Sequence, residues 1–172
     1  MVRSPGFLIF RLDDFATGKG TMAYVCRDKY SGNWFQGQKS GQGIYQYSDG
    51  SRYEGEFKAN MRHGQGKCLY PSGDVYSGDW REDMRCGHGV YRFSDGQIYD
   101  GQWRDDEMSG NGDLANPDGS KYSGDWEEGI MHGEGAMEYS NGDLYQGFWK
   151  NGYREGEGSY IWATGEKFHG EW

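Results

Sequence analysis

Apolar and polar positions trade places along this chain with a period of two. Gly43-Ile44-Tyr45-Gln46-Tyr47 and Tyr53-Glu54-Gly55-Glu56-Phe57 both alternate in this way, and neither shows the 3.6-residue spacing of an amphipathic helix. Two such runs separated by a short glycine-containing turn, such as Ser48-Asp49-Gly50, predict a β-hairpin. The polar segment that follows, such as Lys58 to His63, reads as a loop of ordinary length.

The hairpin recurs without insertion. Aromatic-x-Gly-x-aromatic stands at Tyr30/Gly32/Trp34, Tyr53/Gly55/Phe57, Tyr76/Gly78/Trp80, Tyr99/Gly101/Trp103, Tyr122/Gly124/Trp126, Tyr145/Gly147/Trp149 and Phe168/Gly170/Trp172, each step being 23 residues. A Gly-x-Gly pair keeps the same period from Gly18/Gly20 to Gly156/Gly158, and a third series runs from Gly50 to Gly165. Of the 31 glycines only Gly6, Gly37, Gly129 and Gly152 fall outside these three series, so the glycine-rich composition and the period are one fact. One step before Tyr30, the residues Phe7, Ile9 and Arg11 replace the pattern, although Gly18 and Gly20 persist downstream. Residues 1–29 are therefore expected to be an N-terminal cap with a degenerate first repeat, and residues 30–172 an array of six full repeats plus a partial seventh at 168–172.

The turn chemistry decides which side chains share a face. Pro71-Ser72-Gly73 and Pro117-Asp118-Gly119 put proline where a type I turn wants φ near −65°, and Thr164-Gly165 would force a β-branched residue to positive φ in a type I′ turn. A three-residue loop with glycine in the left-handed position follows. It pairs Tyr47 with Ser51, Tyr45 with Tyr53 and Gly43 with Gly55, which gathers the aromatics on one face and Ser31, Asn33, Gln42, Gln46, Glu54 and Glu56 on the other. A lone hairpin is marginal in water, so order must come from hairpins pairing side by side. The expected fold class is all-β: an elongated single-layer antiparallel hairpin solenoid, advancing about 10 Å per repeat and twisted into a trough with the rings inside.

These residues resemble a known family. Tyr-x-Gly-x-Trp, then His-Gly-x-Gly as at His63 to Gly66 and His132 to Gly135, then Tyr-x-x-Asp-Gly as at Tyr47 to Gly50, are similar to the MORN (membrane occupation and recognition nexus) repeat across residues 30–172. The resemblance implies a hairpin solenoid used for protein interaction and scaffolding, as in radial-spoke and other ciliary proteins, apicomplexan cytoskeletal proteins and junctophilins. It also implies the alternative of an accessory segment of a larger enzyme, such as a lipid kinase or SET-domain protein, or a membrane-cytoskeleton tether. The loop slot that is often basic in that family reads Glu82-Asp83, Asp105-Asp106-Glu107 and Glu127-Glu128 here, which argues against lipid binding. The fifth unit departs from the pattern, with Leu114 and Asn116 in place of aromatics.

Charge and chemistry narrow the function. Eighteen Lys and Arg against 27 Asp and Glu give a net charge of −9, which disfavours nucleic acid and anionic lipid and points to basic or neutral partners. Cys26, Cys68 and Cys86 are an odd number without a secretory leader, so a reducing compartment is expected. His63, Cys86 and His132 occupy one slot in different repeats, about 10 Å apart per step, too far for shared zinc ligation. Gly-x-Gly opens strands rather than helices, which excludes a phosphate loop, and the Asp-Gly turns lack the remaining ligands of a calcium loop.

No catalytic, cofactor or metal site is therefore expected, and the chain is read as no enzyme. The aromatic stripe, left uncovered in a single layer, is the candidate partner-binding surface: Trp34, Tyr45, Tyr47, Phe57, Tyr70, Trp80, Tyr91, Phe93, Trp103, Trp126, Tyr139 and Trp149. A second apolar edge is suggested by Met61, Met84, Met108, Ile130, Met131 and Tyr153 at or beside one loop slot. The expected partner is an extended or helical protein segment, or a second copy of the chain. The expected location is cytoplasmic, with the cytoskeletal or ciliary association that the family implies. The sequence stops at Trp172 after one strand of an unfinished hairpin, so further sequence is expected beyond it.

Overall fold

The computed structural model describes residues 16–172, which fall into two compact units divided between Met84 and Arg85. The first unit holds β1 (Gly18–Ala23), β2 (Lys29–Phe35), β3 (Gln38–Gln46), β4 (Arg52–Lys58), β5 (Met61–Leu69) and β6 (Val75–Arg81). The second holds β7 (Met84–Arg92, from its second residue), β8 (Ile98–Arg104), β9 (Glu107–Ala115), β10 (Lys121–Glu127), β11 (Ile130–Glu138), β12 (Leu144–Lys150), β13 (Tyr153–Ile161) and β14 (Lys167–Glu171). Within each unit every strand pairs antiparallel with its neighbours in chain order, with no crossover. No helix occurs among the described residues, so the fold class is all-β, built of single-layer antiparallel hairpin repeats. Phe7, Ile9 and Arg11, the substitutes in the degenerate first repeat, lie outside the described residues.

The register is the one that the turn chemistry implies. Gly50 stands at φ 93° and donates its N–H to the Tyr47 carbonyl at 3.2 Å, while Tyr47 N–H donates to Ser51 O at 2.9 Å. Beyond the turn Tyr45 pairs with Tyr53 and Gly43 with Gly55. The same two bonds recur one period on, from Gly73 to Tyr70 and from Tyr70 to Asp74. An L-residue at φ near +90° would put its Cβ against the backbone, so glycine holds this slot from Gly50 to Gly165, whereas Arg27, one period before Gly50, makes the same turn at a smaller φ of 73°.

The other connection differs from the expectation of a polar loop. Lys58 pairs directly with Met61, leaving a two-residue turn, Ala59-Asn60, at φ 50° and 72°. Positive φ at both central residues is the type I′ geometry that matches strand twist. The signal was obscured because the first position varies among Gln, Ala, Glu, Asp and Asn, and the second among Gly, Asn and Asp. Gly37, Asn60, Asp83, Asp106, Gly129 and Gly152 in fact form a fourth 23-residue series of left-handed residues, so three of the four glycines taken as out of register belong to it. Each turn clips onto the hairpin before it: Asn60 N–H donates to Lys39 O at 3.1 Å, and Lys39 N–H donates to Asn60 Oδ1 at 2.8 Å.

A bulge separates this turn from the paired glycines. Gly55 faces Gly66 but Glu56 faces His63, so Gly64 and Gln65 are extra on β5, and Gly64 takes φ 57°. The second glycine of each Gly-x-Gly serves packing instead. A Cβ on Gly66 would lie 2.5 Å from Tyr53 Cε2, and one on Gly55 would lie 2.5 Å from the Gly66 Cα, so the Tyr53 ring lies flat on a floor of bare backbone.

That ring is the centre of the core. Tyr30, Tyr53, Tyr76, Tyr99, Tyr122 and Tyr145 are fully buried, and each hydroxyl donates to the carbonyl three residues on, as Tyr53 does to Glu56 O at 2.9 Å and Tyr122 to Asp125 O at 3.0 Å. Edge-on rings flank it. Tyr53 meets Phe57 at 5.1 Å and Trp80 at 5.4 Å, and Tyr122 meets Trp126 at 5.3 Å and Trp149 at 5.4 Å, all near perpendicular. Such pairs contribute about 0.5–1.5 kcal/mol each beyond burial, so a row of them holds a sheet that has no aliphatic second layer.

Candidate functional site

The aromatic face resolves into a buried floor and an accessible row. Trp34, Phe57, Trp80, Trp103, Trp126 and Trp149, read from the sequence as partner anchors, are between 2% and 8% exposed and belong to the floor, as does Tyr91. Their depth follows from the indole donor. Trp80, Trp103, Trp126 and Trp149 reach across to the carbonyl 14 residues earlier, at Gly66, Gly89, Gly112 and Gly135, at 3.0–3.3 Å. Trp34 Nε1 is buried without a partner among the described residues, and nothing in the structure explains it.

Tyr45, Tyr47, Tyr70, Phe93 and Tyr139 are the sequence-predicted residues that remain half-exposed. They line the edge of the Asp-Gly turns. In the first unit Tyr45 packs on Tyr47 with centroids 4.4 Å apart and on Tyr24 at 5.9 Å. In the second, Tyr91 packs on Phe93 at 4.5 Å, and Tyr139, Tyr160 and Trp162 form a further cluster at 5.0–5.9 Å. Between these two clusters the irregular fifth repeat substitutes a polar pair, Gln97 Nε2 donating to Asn116 Oδ1 at 2.7 Å. Trp162 and Tyr24 were not among the predicted residues, although both sit one period from a predicted aromatic.

Carboxylates fasten this edge from repeat to repeat. Asp28 accepts the Ser48 N–H at 2.8 Å and the Tyr45 hydroxyl at 2.9 Å, and these two bonds hold its carboxyl below the usual range. Asp143 repeats the device with the Tyr160 hydroxyl at 2.6 Å and the Ala163 N–H at 2.8 Å. The bond to Asp143, together with burial, pushes the Tyr160 phenol up to about 12.

The opposite edge of the aromatic face carries cations that sequence reading missed. Lys39, Arg62, Arg85 and Arg154 each lie over a ring, with Arg62 4.1 Å from Trp80, Arg85 4.3 Å from Trp103 and Arg154 4.1 Å from Trp172. The signal lay in the two-residue turn: once Lys58 pairs with Met61, Arg62 must stand opposite Phe57 on the aromatic side. The same pairing divides the supposed methionine ridge. Met61, Ile130 and Tyr153 pair with Lys58, Glu127 and Lys150 on the polar face, whereas Met108 and Met131 face Trp103 and Trp126.

The polar face carries local polar contacts and a groove. A shallow groove of about 690 Å³ runs past Ser123, Asp125, Glu134, Gln146 and Phe148. His88 Nε2 lies 2.9 Å from Asp100, and His132 Nε2 3.4 Å from Glu127. Among the described residues no group of three or more His, Cys, Asp and Glu side chains converges as metal ligands, and no helix is long and apolar enough to cross a membrane. Cys26 is exposed, Cys68 buried and Cys86 half-buried, each a thiol outside any disulfide.

Solved structures share this fold at low sequence identity. The TCP10 domain of Danio rerio CPAP in complex with a STIL peptide is similar at TM-score 0.51 and 11% identity, over 86% of this chain and 64% of that one, so the chain spans just under two thirds of that domain's length. The Drosophila melanogaster SAS-4 (dCPAP) TCP domain in complex with a proline-rich motif of Ana2 is similar at TM-score 0.51 and 15% identity, over 95% of this chain and 99% of that one. No curated protein matches the sequence significantly. The MORN repeat family model matches residues 30–52, 53–75, 76–98, 99–121, 122–144 and 145–167. Each match opens on one of the six buried tyrosines, so the structural unit and the sequence unit coincide and the chain belongs to the MORN repeat family.

Proposed function

We propose that this chain is a non-catalytic protein-interaction scaffold that takes an extended segment of a partner protein on the aromatic face of its sheet. The observation that carries this reading is that, in each unit, rings beside the Asp-Gly turns stay accessible on a single layer of strands: half-exposed Tyr45, Tyr47 and Tyr70 in the first unit, and half-exposed Phe93 and Tyr139 with exposed Trp162 in the second. Accessible ring surface of this kind within a unit is costly to leave in water and marks an interaction site. Rigid aromatic grooves suit preformed extended segments, whose ordering entropy is small. The two similar folds were each solved with a peptide, one of them proline-rich, which supports the same use here.

The roles of the rings divide by depth. Trp34, Phe57, Trp80, Trp103, Trp126, Trp149 and Tyr91 shape and stiffen the floor, while the half-exposed rings touch the partner. Alanine at Trp103 would therefore report folding rather than recognition. The informative variant is Tyr47→Ala combined with Tyr70→Ala, compared with Gln42→Ala on the polar face. Peptides selected from a random library on the full chain should bind the double variant at least about tenfold more weakly and the Gln42 variant unchanged, with strand circular dichroism preserved in both. Equal weakening by both variants would defeat the proposal.

A further inference from the structure

The cations of the aromatic face are matched to the turn residues that clip onto them. The slot that Lys39 occupies reads Lys39, Arg62, Arg85, Met108, Met131 and Arg154 in successive hairpins, and for the first five the turn residue 21 positions later reads Asn60, Asp83, Asp106, Gly129 and Gly152. Arginine meets aspartate, with Arg62 Nε 3.0 Å from Asp83 Oδ1 and Arg85 Nε 2.9 Å from Asp106 Oδ1. Methionine meets glycine. Lys39 alone of these cations meets an amide: Asn60 Oδ1 accepts the Lys39 backbone N–H at 2.8 Å but brings no charge.

Lys39 is thus a half-buried ammonium held over rings, 4.3 Å from the Tyr45 centroid, 5.3 Å from Phe57 and 5.8 Å from Tyr30, with no carboxylate within ion-pair distance among the described residues. Burial draws its pKa below the ordinary lysine value, against the weaker pull of Asp83 and Asp28, while Arg62 adds to the lowering. A partly desolvated charge gains most from an opposite charge that shares its dry surroundings.

We infer, resting on the scaffold reading above, that the segment bound on the aromatic face of the first unit carries an acidic side chain that pairs with Lys39. The net charge of −9 alone points to basic or neutral partners, but the charge that a bound peptide meets is the local one, and here it is a cation framed by Tyr30, Tyr45 and Phe57.

The chain itself supplies the controls. Lys39→Met installs the residue found at Met108 and Met131, and Asn60→Asp installs the carboxylate found at Asp83 and Asp106, whose φ of 69° and 71° matches the 72° of Asn60. Peptides selected from a random library on the wild-type chain are resynthesised with each Asp or Glu replaced by Asn or Gln. The replacement at one fixed position is expected to weaken binding to wild type about tenfold and to weaken binding to either variant less than about twofold. Selected peptides without acidic residues, or an acid dependence undiminished on Lys39→Met, would overturn the inference while leaving the scaffold reading in place. Failure of the folded wild-type chain to select any peptide would remove the scaffold reading, and this inference with it.

Discussion

At the residue scale, each glycine series answers a different physical demand. Gly50 supplies a left-handed turn residue, Gly64 a left-handed bulge, and Gly66 the absence of a side chain under a ring. The distinction predicts unequal costs. Gly135→Ala would bring a Cβ to 2.6 Å from Tyr122 Cε2 inside a packed core, and should destabilise by about 3 kcal/mol or more. Tyr122→Phe removes only the hydroxyl that donates to Asp125 O and should cost about 1 kcal/mol. Urea unfolding of the two variants measures the difference, and comparable midpoints would contradict the packing account.

At the scale of the hairpin, two turns of opposite chemistry alternate. The Asp-Gly turn has its signature written in the sequence, and its register follows from the proline and threonine residues that occupy equivalent slots. The two-residue turn has no such single signature, because Asn, Asp and Gly share the second position and non-glycine residues accept positive φ at the first. Ala59 at φ 50° therefore carries backbone strain that glycine would relieve. Ala59→Gly is expected to stabilise the chain by about 0.5–1 kcal/mol and Gly119→Ala, at φ 91°, to destabilise it by about 1 kcal/mol. Thermal melts of both variants should shift in opposite directions, and shifts of the same sign would count against the strain argument.

At the scale of the whole molecule, stability rests on one residue type repeated six times, and that makes it sensitive to base. Burial pushes the Tyr30 phenol up to about 12 and raises Tyr53, Tyr99, Tyr122 and Tyr145 as well. A folded state that holds its phenolic protons more tightly than the unfolded chain, where tyrosine ionises near 10, is favoured in full below about pH 10. It loses that advantage as pH climbs toward the folded values. Strand circular dichroism should therefore be lost in the same alkaline step as the part of the tyrosinate absorbance that the buried tyrosines contribute. Gradual ionisation of all tyrosines from pH 10 with the strands intact would contradict the buried-ring core.

The strand pairing across the Asp-Gly turn, the 23-residue period, the turn itself and the common face of Tyr45 and Tyr53 were legible in the sequence, because each depends on residues within one hairpin and on backbone preferences that glycine and proline state directly. Only the tertiary structure decided which rings are floor and which are surface. Depth depends on how far Trp80 reaches to the Gly66 carbonyl and on what the neighbouring hairpin lays over it. It likewise decided that Lys39 stands over Tyr45 and Phe57 without a carboxylate among the described residues, since charge pairing joins residues 21 positions apart through a turn whose geometry the local sequence leaves unstated.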